Sequence, residues 1–190
     1  IQTIGYDTGP GNCLRDSWAR ENGVGNYDEG GNWANTGKVN PSLLQLMLKE
    51  EYFNKPNPKS TGPDFFNLEW VKNTIDKNGE EVKPEDLQST LLELTVKSLT
   101  KELKNLGVGS DNLYFCGGGI HNKNLMKRIK KELGFRILTT ADIGVDPDYL
   151  EATSFAWFAA QRIKGRKFDL SKVTGSNRKV FLGVITEPAI

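Results

Sequence analysis

Between Pro84 and about Leu106 the chain can form only one kind of element, a long helix. Pro84 fits the first helical position, where an N–H has no partner anyway. Glu85 and Asp86 oppose the positive end of the helix dipole, Lys101 and Lys104 suit its negative end, and Gly107 stops the run. Leu87, Leu91, Leu94, Leu99 and Leu103 recur at near-helical spacing, so one face of this helix is expected to be core. Around it in sequence, short apolar segments alternate with helical patterns. Residues 1–6 read as a strand, Leu14 to Arg20 as a helix, residues 23–40 as a Gly/Asn-rich loop, and Pro41 to Glu51 as a helix capped by Asn40. Residues 54–64, rich in Pro and Asn, read as loop. Beyond the long helix come a strand at Asn112–Cys116, a helix at about Asn122–Leu133 and a strand near Arg136–Leu138. A second long helix at about Pro147–Lys164 carries Phe155, Ala156, Phe158, Ala159 and Ile163, and Val180 to Ile185 reads as a last strand. Strands alternating with helices give an α/β layer fold.

Composition removes several function classes. Basic and acidic residues number 25 and 24, for a net charge of +1, and they are spread along the chain without the basic stripe that nucleic acid requires. The apolar runs are too short to span a bilayer, and no charged leader with an apolar stretch opens the chain. Cys13 and Cys116 are too far apart in sequence, and too few, to form a disulfide framework; both are read as free thiols in a cytoplasmic setting. The chain opens Ile1-Gln2-Thr3-Ile4-Gly5, without methionine and at once strand-like, which leads us to expect that an upstream domain is absent from these 190 residues.

Two glycine-rich breaks could carry chemistry. Asp7-Thr8-Gly9-Pro10-Gly11-Asn12 follows a strand-like segment. Its glycines let backbone approach an anion, and its carboxylate can take a proton or help hold a metal. The same pattern also fits a plain strand–turn–helix connection in which Asp7 caps the next helix. Cys116-Gly117-Gly118-Gly119-Ile120-His121-Asn122 lies between strand and helix, offering a wall without side chains and a helix N-terminus that favours anions. It lacks the Gly-Lys-Ser/Thr of a Walker A loop and the G-x-G-x-x-G spacing of a dinucleotide fingerprint, and a tight crossover explains it equally well. His121 is the only histidine and is expected at the surface or in a cap, so the chain is not expected to hold a metal site of its own. Asp148 and Glu151 suit the start of a helix as dipole complements, Lys38 and Lys59 read as solvated loop lysines, and Trp18, Trp33, Trp70 and Trp157 as packing residues.

Taken together these segments resemble the anhydro-N-acetylmuramic acid kinases. The likeness is carried by Gly5-Tyr6-Asp7-Thr8-Gly9-Pro10-Gly11-Asn12, Tyr27-Asp28 with Trp33-Ala34, Gly37-Lys38-Val39-Asn40 and Pro58-Lys59-Ser60-Thr61-Gly62 with Phe66-Asn67. It continues through Asp86-Leu87-Gln88-Ser89-Thr90-Leu91, Cys116-Gly117-Gly118-Gly119 with Asn122, Glu151-Ala152 with Phe155-Ala156-Trp157, Val173-Thr174-Gly175 and Leu182-Gly183. The resemblance implies a ribonuclease H-like, actin-like ATPase lobe in which a mixed sheet is flanked by helices. It implies ATP and Mg2+ as cofactors and 1,6-anhydro-N-acetylmuramic acid as the substrate, opened by water and phosphorylated at O6 in peptidoglycan recycling. Asp7 would be the catalytic base and contact the sugar, and Glu151 would also bind the sugar. Thr8, Gly9, Gly11 and Asn12 would lie near the phosphates, and Gly117, Gly118 and Gly119 would hold the adenosine.

The same resemblance makes residues 1–190 a single C-terminal lobe whose N-terminal partner lobe is missing, so the isolated lobe is expected to fold but not to turn over. Homodimerisation stays open. Two other functions fit the residues: a kinase of the same superfamily acting on another sugar or a carboxylate, and a non-catalytic nucleotide-binding domain.

Overall fold

The computed structural model describes residues 3–107, 113–134 and 136–186. Its helices are α1 (Cys13–Glu21), α2 (Asn32–Thr36), α3 (Pro41–Leu48), α4 (Leu68–Asn78), α5 (Pro84–Asn105), α6 (Lys123–Leu133), α7 (Leu150–Ile163) and α8 (Ser171–Thr174). Two short strands, β1 (Tyr114–Phe115) and β2 (Leu138–Thr139), pair in parallel, with Tyr114 opposite Leu138 and Phe115 opposite Thr139. The fold is mixed α/β with helices dominant.

α5 is the axis of the molecule. Leu87, Leu91 and Leu94 join Leu14, Leu43, Met47, Tyr52, Phe53, Phe66 and Val71 in one core. From the same helix, Leu92 and Val96 join Ala34, Leu125 and Ile129 in a second. The expectation of a single core face is therefore corrected: α5 is covered on several sides, and Gln88, Ser89, Thr90, Ser98 and Thr100 are buried as well. Close cover needs small residues. A Cβ at Gly37 would fall on the backbone of Glu85, so glycine is what lets the chain leaving α2 cross the start of α5.

Local signals explain several helix ends. The Asn40 side chain accepts from Leu43 N–H at the start of α3, and Asn122 accepts from Leu125 N–H at the start of α6. The helix α4, with no counterpart in the elements expected from sequence, is capped in the same way: Asn67 accepts from Trp70 N–H, and Gly79 ends it in a left-handed turn. The expected loop at residues 23–40 contains α2, nucleated by buried Asp28, which accepts from the N–H groups of Trp33 (2.8 Å) and Ala34 (2.9 Å).

The strands depart from expectation. Residues 3–6 form no ladder; the segment is held through Gly5 N–H to the Lys172 carbonyl (3.3 Å) and Asp7 N–H to the Lys59 carbonyl (3.0 Å). Val180–Ile185 contributes only an isolated antiparallel bridge, Val180 to Phe168. A strand is stabilised by its neighbours, and among the described residues neither segment has a strand partner of any length. Ile1, Gln2 and Asn112 of the expected strands lie outside the described residues.

Candidate active site

The turn after residue 6 is built around α5. Thr95 hydroxyl donates to the Gly11 carbonyl (2.8 Å). Gly9 passes so near α5 that a Cβ would sit 2.9 Å from Ser98 Oγ and 3.0 Å from Phe53. Gly9 is therefore required by close packing, whatever else it does.

Asp7 is exposed at the head of this turn and is held by the loop at 59–61. Its Oδ2 accepts from the Ser60 hydroxyl (2.9 Å) and from Thr61 N–H (3.0 Å), while its carbonyl accepts from the Tyr52 hydroxyl (2.7 Å). Burial, reinforced by the charges of Asp7 and Glu102, pushes the Tyr52 phenol up to about 12, so it remains a donor. Lys59 is not the solvated lysine expected from sequence. It is 8% exposed, and its ammonium pairs with Glu102 at 2.8 Å. The reason is neighbouring chemistry: α5 offers a carboxylate there, and the Tyr52 and Tyr6 rings lie 5.3 and 6.0 Å away.

Asn12 stands at the start of α1 without capping it. Its Oδ1 instead accepts from Arg15, and its amide lies in ordinary contact distance of where a Cβ at Gly119 would be, 3.6 Å. The two glycine-rich segments thus meet. A cavity of about 660 Å3 is lined by Asn12, Arg15, Asp28, Gly118, Gly119 and Asn122, among others, a volume within the usual span of small-molecule sites. Arg15 is 2% exposed, its Nε has no hydrogen-bond partner among the described residues, and burial lowers its proton affinity below the usual range. Burial likewise pushes the Asp16 carboxyl up. Arg15 and Asp28 were not site candidates from sequence; the signals were the position of Arg15 three residues after Asn12, and for Asp28 its place in the Tyr27-Asp28 segment that carries the resemblance.

The three consecutive glycines differ in what the fold asks of them. Gly117 has a left-handed φ of +76°, which favours glycine outright, and Gly119 is near Asn12. Gly118 has neither constraint: a Cβ there would meet no described atom within 4 Å. Its bare surface faces open space in the cavity wall.

The second segment is also tied to the start of α7. Gly117 N–H donates to the Pro147 carbonyl (2.9 Å), and His121 Nε2 pairs with Asp148 at 2.8 Å, so Asp148 precedes α7 and binds a neighbour instead of complementing its dipole. Glu151 lies exposed in the first turn of α7. Asp7, Thr8, Gly9, Gly11 and Glu151 do not line the cavity. Lys38 is exposed, with its N–H donating to Asp86 (2.6 Å). Trp18 and Trp70 pack against the first core, whereas Trp157 is 48% exposed and does not serve as core.

The family model described as anhydro-N-acetylmuramic acid kinase matches residues 1–188. Among curated proteins, the chain is similar to an anhydro-N-acetylmuramic acid kinase of Coxiella burnetii, 45% identical over 186 residues, covering 96% of this chain and 49% of that protein. Proteins of the same name from Aliivibrio fischeri (45% over 184 residues; 96% and 50%) and Saccharophagus degradans (41% over 185 residues; 97% and 50%) align similarly. The chain spans about half the length of the curated relatives it matches.

Proposed function

The chain belongs to the anhydro-N-acetylmuramic acid kinase family, and on that premise we propose that it is the C-terminal, actin-like lobe of an ATP-dependent kinase of 1,6-anhydro-N-acetylmuramic acid. The observation that carries this reading is the meeting of Asn12 with Gly118 and Gly119 on one cavity of about 660 Å3. A side-chain-free wall at Gly118, which packing does not demand, suits a flat ring or ribose. Arg15 and Lys123 line the same cavity beside Asp16, Asp28 and Glu29, so its wall offers a ligand both signs of charge.

In this reading Asp7 takes a proton from a water whose oxygen bonds to the anomeric carbon, and the bond from that carbon to O6 breaks. The freed O6 bonds to the γ-phosphorus as the β–γ bridge breaks, giving the sugar 6-phosphate and ADP. Thr8, Gly9 and Gly11 lie in sequence between Asp7 and Asn12, which lines the cavity, and Glu151 contributes from the start of α7, which the Gly117–Pro147 and His121–Asp148 bonds hold to the glycine segment. Magnesium would travel on the nucleotide phosphates, which ask only one or two carboxylates of a protein. Among the described residues no three His, Cys, Asp or Glu side chains gather into a group that could hold a metal ion. The opposing lobe would close the site and exclude water, so residues 1–190 alone should bind nucleotide weakly and not turn over. Free thiols at Cys13 and Cys116 suit a cytoplasmic enzyme.

Two variants of the family-length protein test the assignment. Asp7→Asn should lower turnover by roughly 10²–10⁴-fold with sugar binding retained. Gly118→Val should weaken ATP far more than sugar; equal losses, or none, would reduce the glycine segment to a crossover turn.

A further inference from the structure

The loop at residues 59–61 supplies no reacting group in the chemistry above, yet it grips Asp7 at three points. Asp7 N–H donates to the Lys59 carbonyl at 3.0 Å, and Ser60 hydroxyl and Thr61 N–H both donate to Oδ2, at 2.9 and 3.0 Å. Both side-chain contacts converge on a single oxygen; among the described residues no hydrogen bond reaches Oδ1. The loop is itself anchored. The Lys59 ammonium is buried against Glu102 of α5, whose other oxygen accepts from the Tyr6 hydroxyl at 3.2 Å. Tyr6 immediately precedes Asp7, so the same carboxylate fixes both the loop and the segment it grips.

We propose that this loop is an orienting clamp: it engages Oδ2 and leaves Oδ1 as the one oxygen presented to the reacting proton. Ser60 is the positioning residue, and the Lys59–Glu102 pair sets the loop on α5. The inference rests on Asp7 being the general base. An exposed carboxylate can otherwise turn through several rotamers and offer either oxygen, and a base is useful only within hydrogen-bond reach of the proton it takes. Two donors on one oxygen select a single orientation before substrate arrives.

The test is steady-state kinetics on the family-length protein with Ser60→Ala, Ser60→Thr, Asp7→Asn and the Ser60→Ala/Asp7→Asn double variant. Ser60→Ala should lower kcat about 10- to 100-fold through misplacement of the base, with KM for sugar and ATP and the thermal midpoint essentially unchanged. Ser60→Thr keeps the hydroxyl at an exposed position and should restore most of the rate. The double variant should be no slower than Asp7→Asn alone, because Ser60 acts only through Asp7. Wild-type kcat in Ser60→Ala, a raised KM in place of a lowered kcat, or a double variant slower than Asp7→Asn would overturn the clamp. Near-normal turnover in Asp7→Asn would instead sink the base assignment itself. An inactive Asp7→Asn beside a fully active Ser60→Ala removes the clamp alone.

Discussion

The two long helices of this chain make opposite use of their side chains. α5 has buried 11 of its 22 residues, six of them polar, while α7 has buried only Gln161 of its 14. Yet α7 is the more apolar helix, with Phe155 63% exposed and Ile163 78% exposed. Burial is thus set by what the fold brings alongside, and only loosely by how apolar a helix is. α5 has α1, α2, α3 and α6 laid against it. In contrast, α7 has the strap at 182–185, whose own Val184 and Ile185 are exposed. The residues that would do chemistry follow the same division: Asp7, its loop and the turn that leads to Asn12 are tied to α5, and Glu151 sits on the sparsely covered helix.

The sharpest way to break this contrast is to truncate one aromatic side chain on each side. Phe66 is fully buried, with the rings of Tyr52, Phe53, Phe65 and Trp70 around it. Phe66→Ala should cost about 3–5 kcal/mol in denaturant unfolding. Trp157→Ala, at an exposed position with the Phe158 and Phe168 rings beside it, should cost about 1 kcal/mol or less. Comparable losses would mean that α7 is as well supported as α5.

A cation on each side gives the next largest effect. Lys59→Met leaves the half-buried Glu102 carboxylate with only the Tyr6 hydroxyl as its partner and should destabilise by about 3 kcal/mol. Arg162→Met on α7 removes a cation 4.5 Å from the Phe181 ring centroid and should cost only about 0.5–1 kcal/mol. If Lys59→Met proved harmless, the loop that holds Asp7 would not depend on this ion pair.

The smallest effect is a pH dependence where α6 meets α5. Hydrogen bonds from Lys97 and then Lys104 hold the Glu132 carboxyl below its ordinary 4.5. A carboxyl lowered in the folded state contributes stability in full above that ordinary value and loses it as pH falls through the lowered one. All three side chains are partly exposed, so the contribution should be only about 0.5 kcal/mol. Thermal midpoints of the native chain and Glu132→Gln should differ slightly at neutral pH and converge in acid. A difference that persists in acid would assign the effect to packing instead.

By itself the sequence determined the elements whose signals are local. Pro84, the acidic first turn and Gly107 bracket α5 within a residue or two, and Asn40 and Asn122 mark the starts of α3 and α6, because a cap or a helix-breaking turn acts on backbone a few residues away. It also marked Asp7, Asn12 and the triple glycine as places where chemistry could occur. Tertiary structure alone decided what those marks mean to one another. The meeting of Asn12 with Gly118 and Gly119 spans more than a hundred residues of chain, and no local spacing encodes it. Lys59 was legible only as a loop lysine until Glu102 on α5 supplied its partner, and Arg15 became part of the cavity wall only when the second glycine segment closed over it. The expected end strands failed for the same reason. A helix satisfies its own backbone, whereas a strand, an ion pair and a binding wall each need a partner that arrives from elsewhere in the fold.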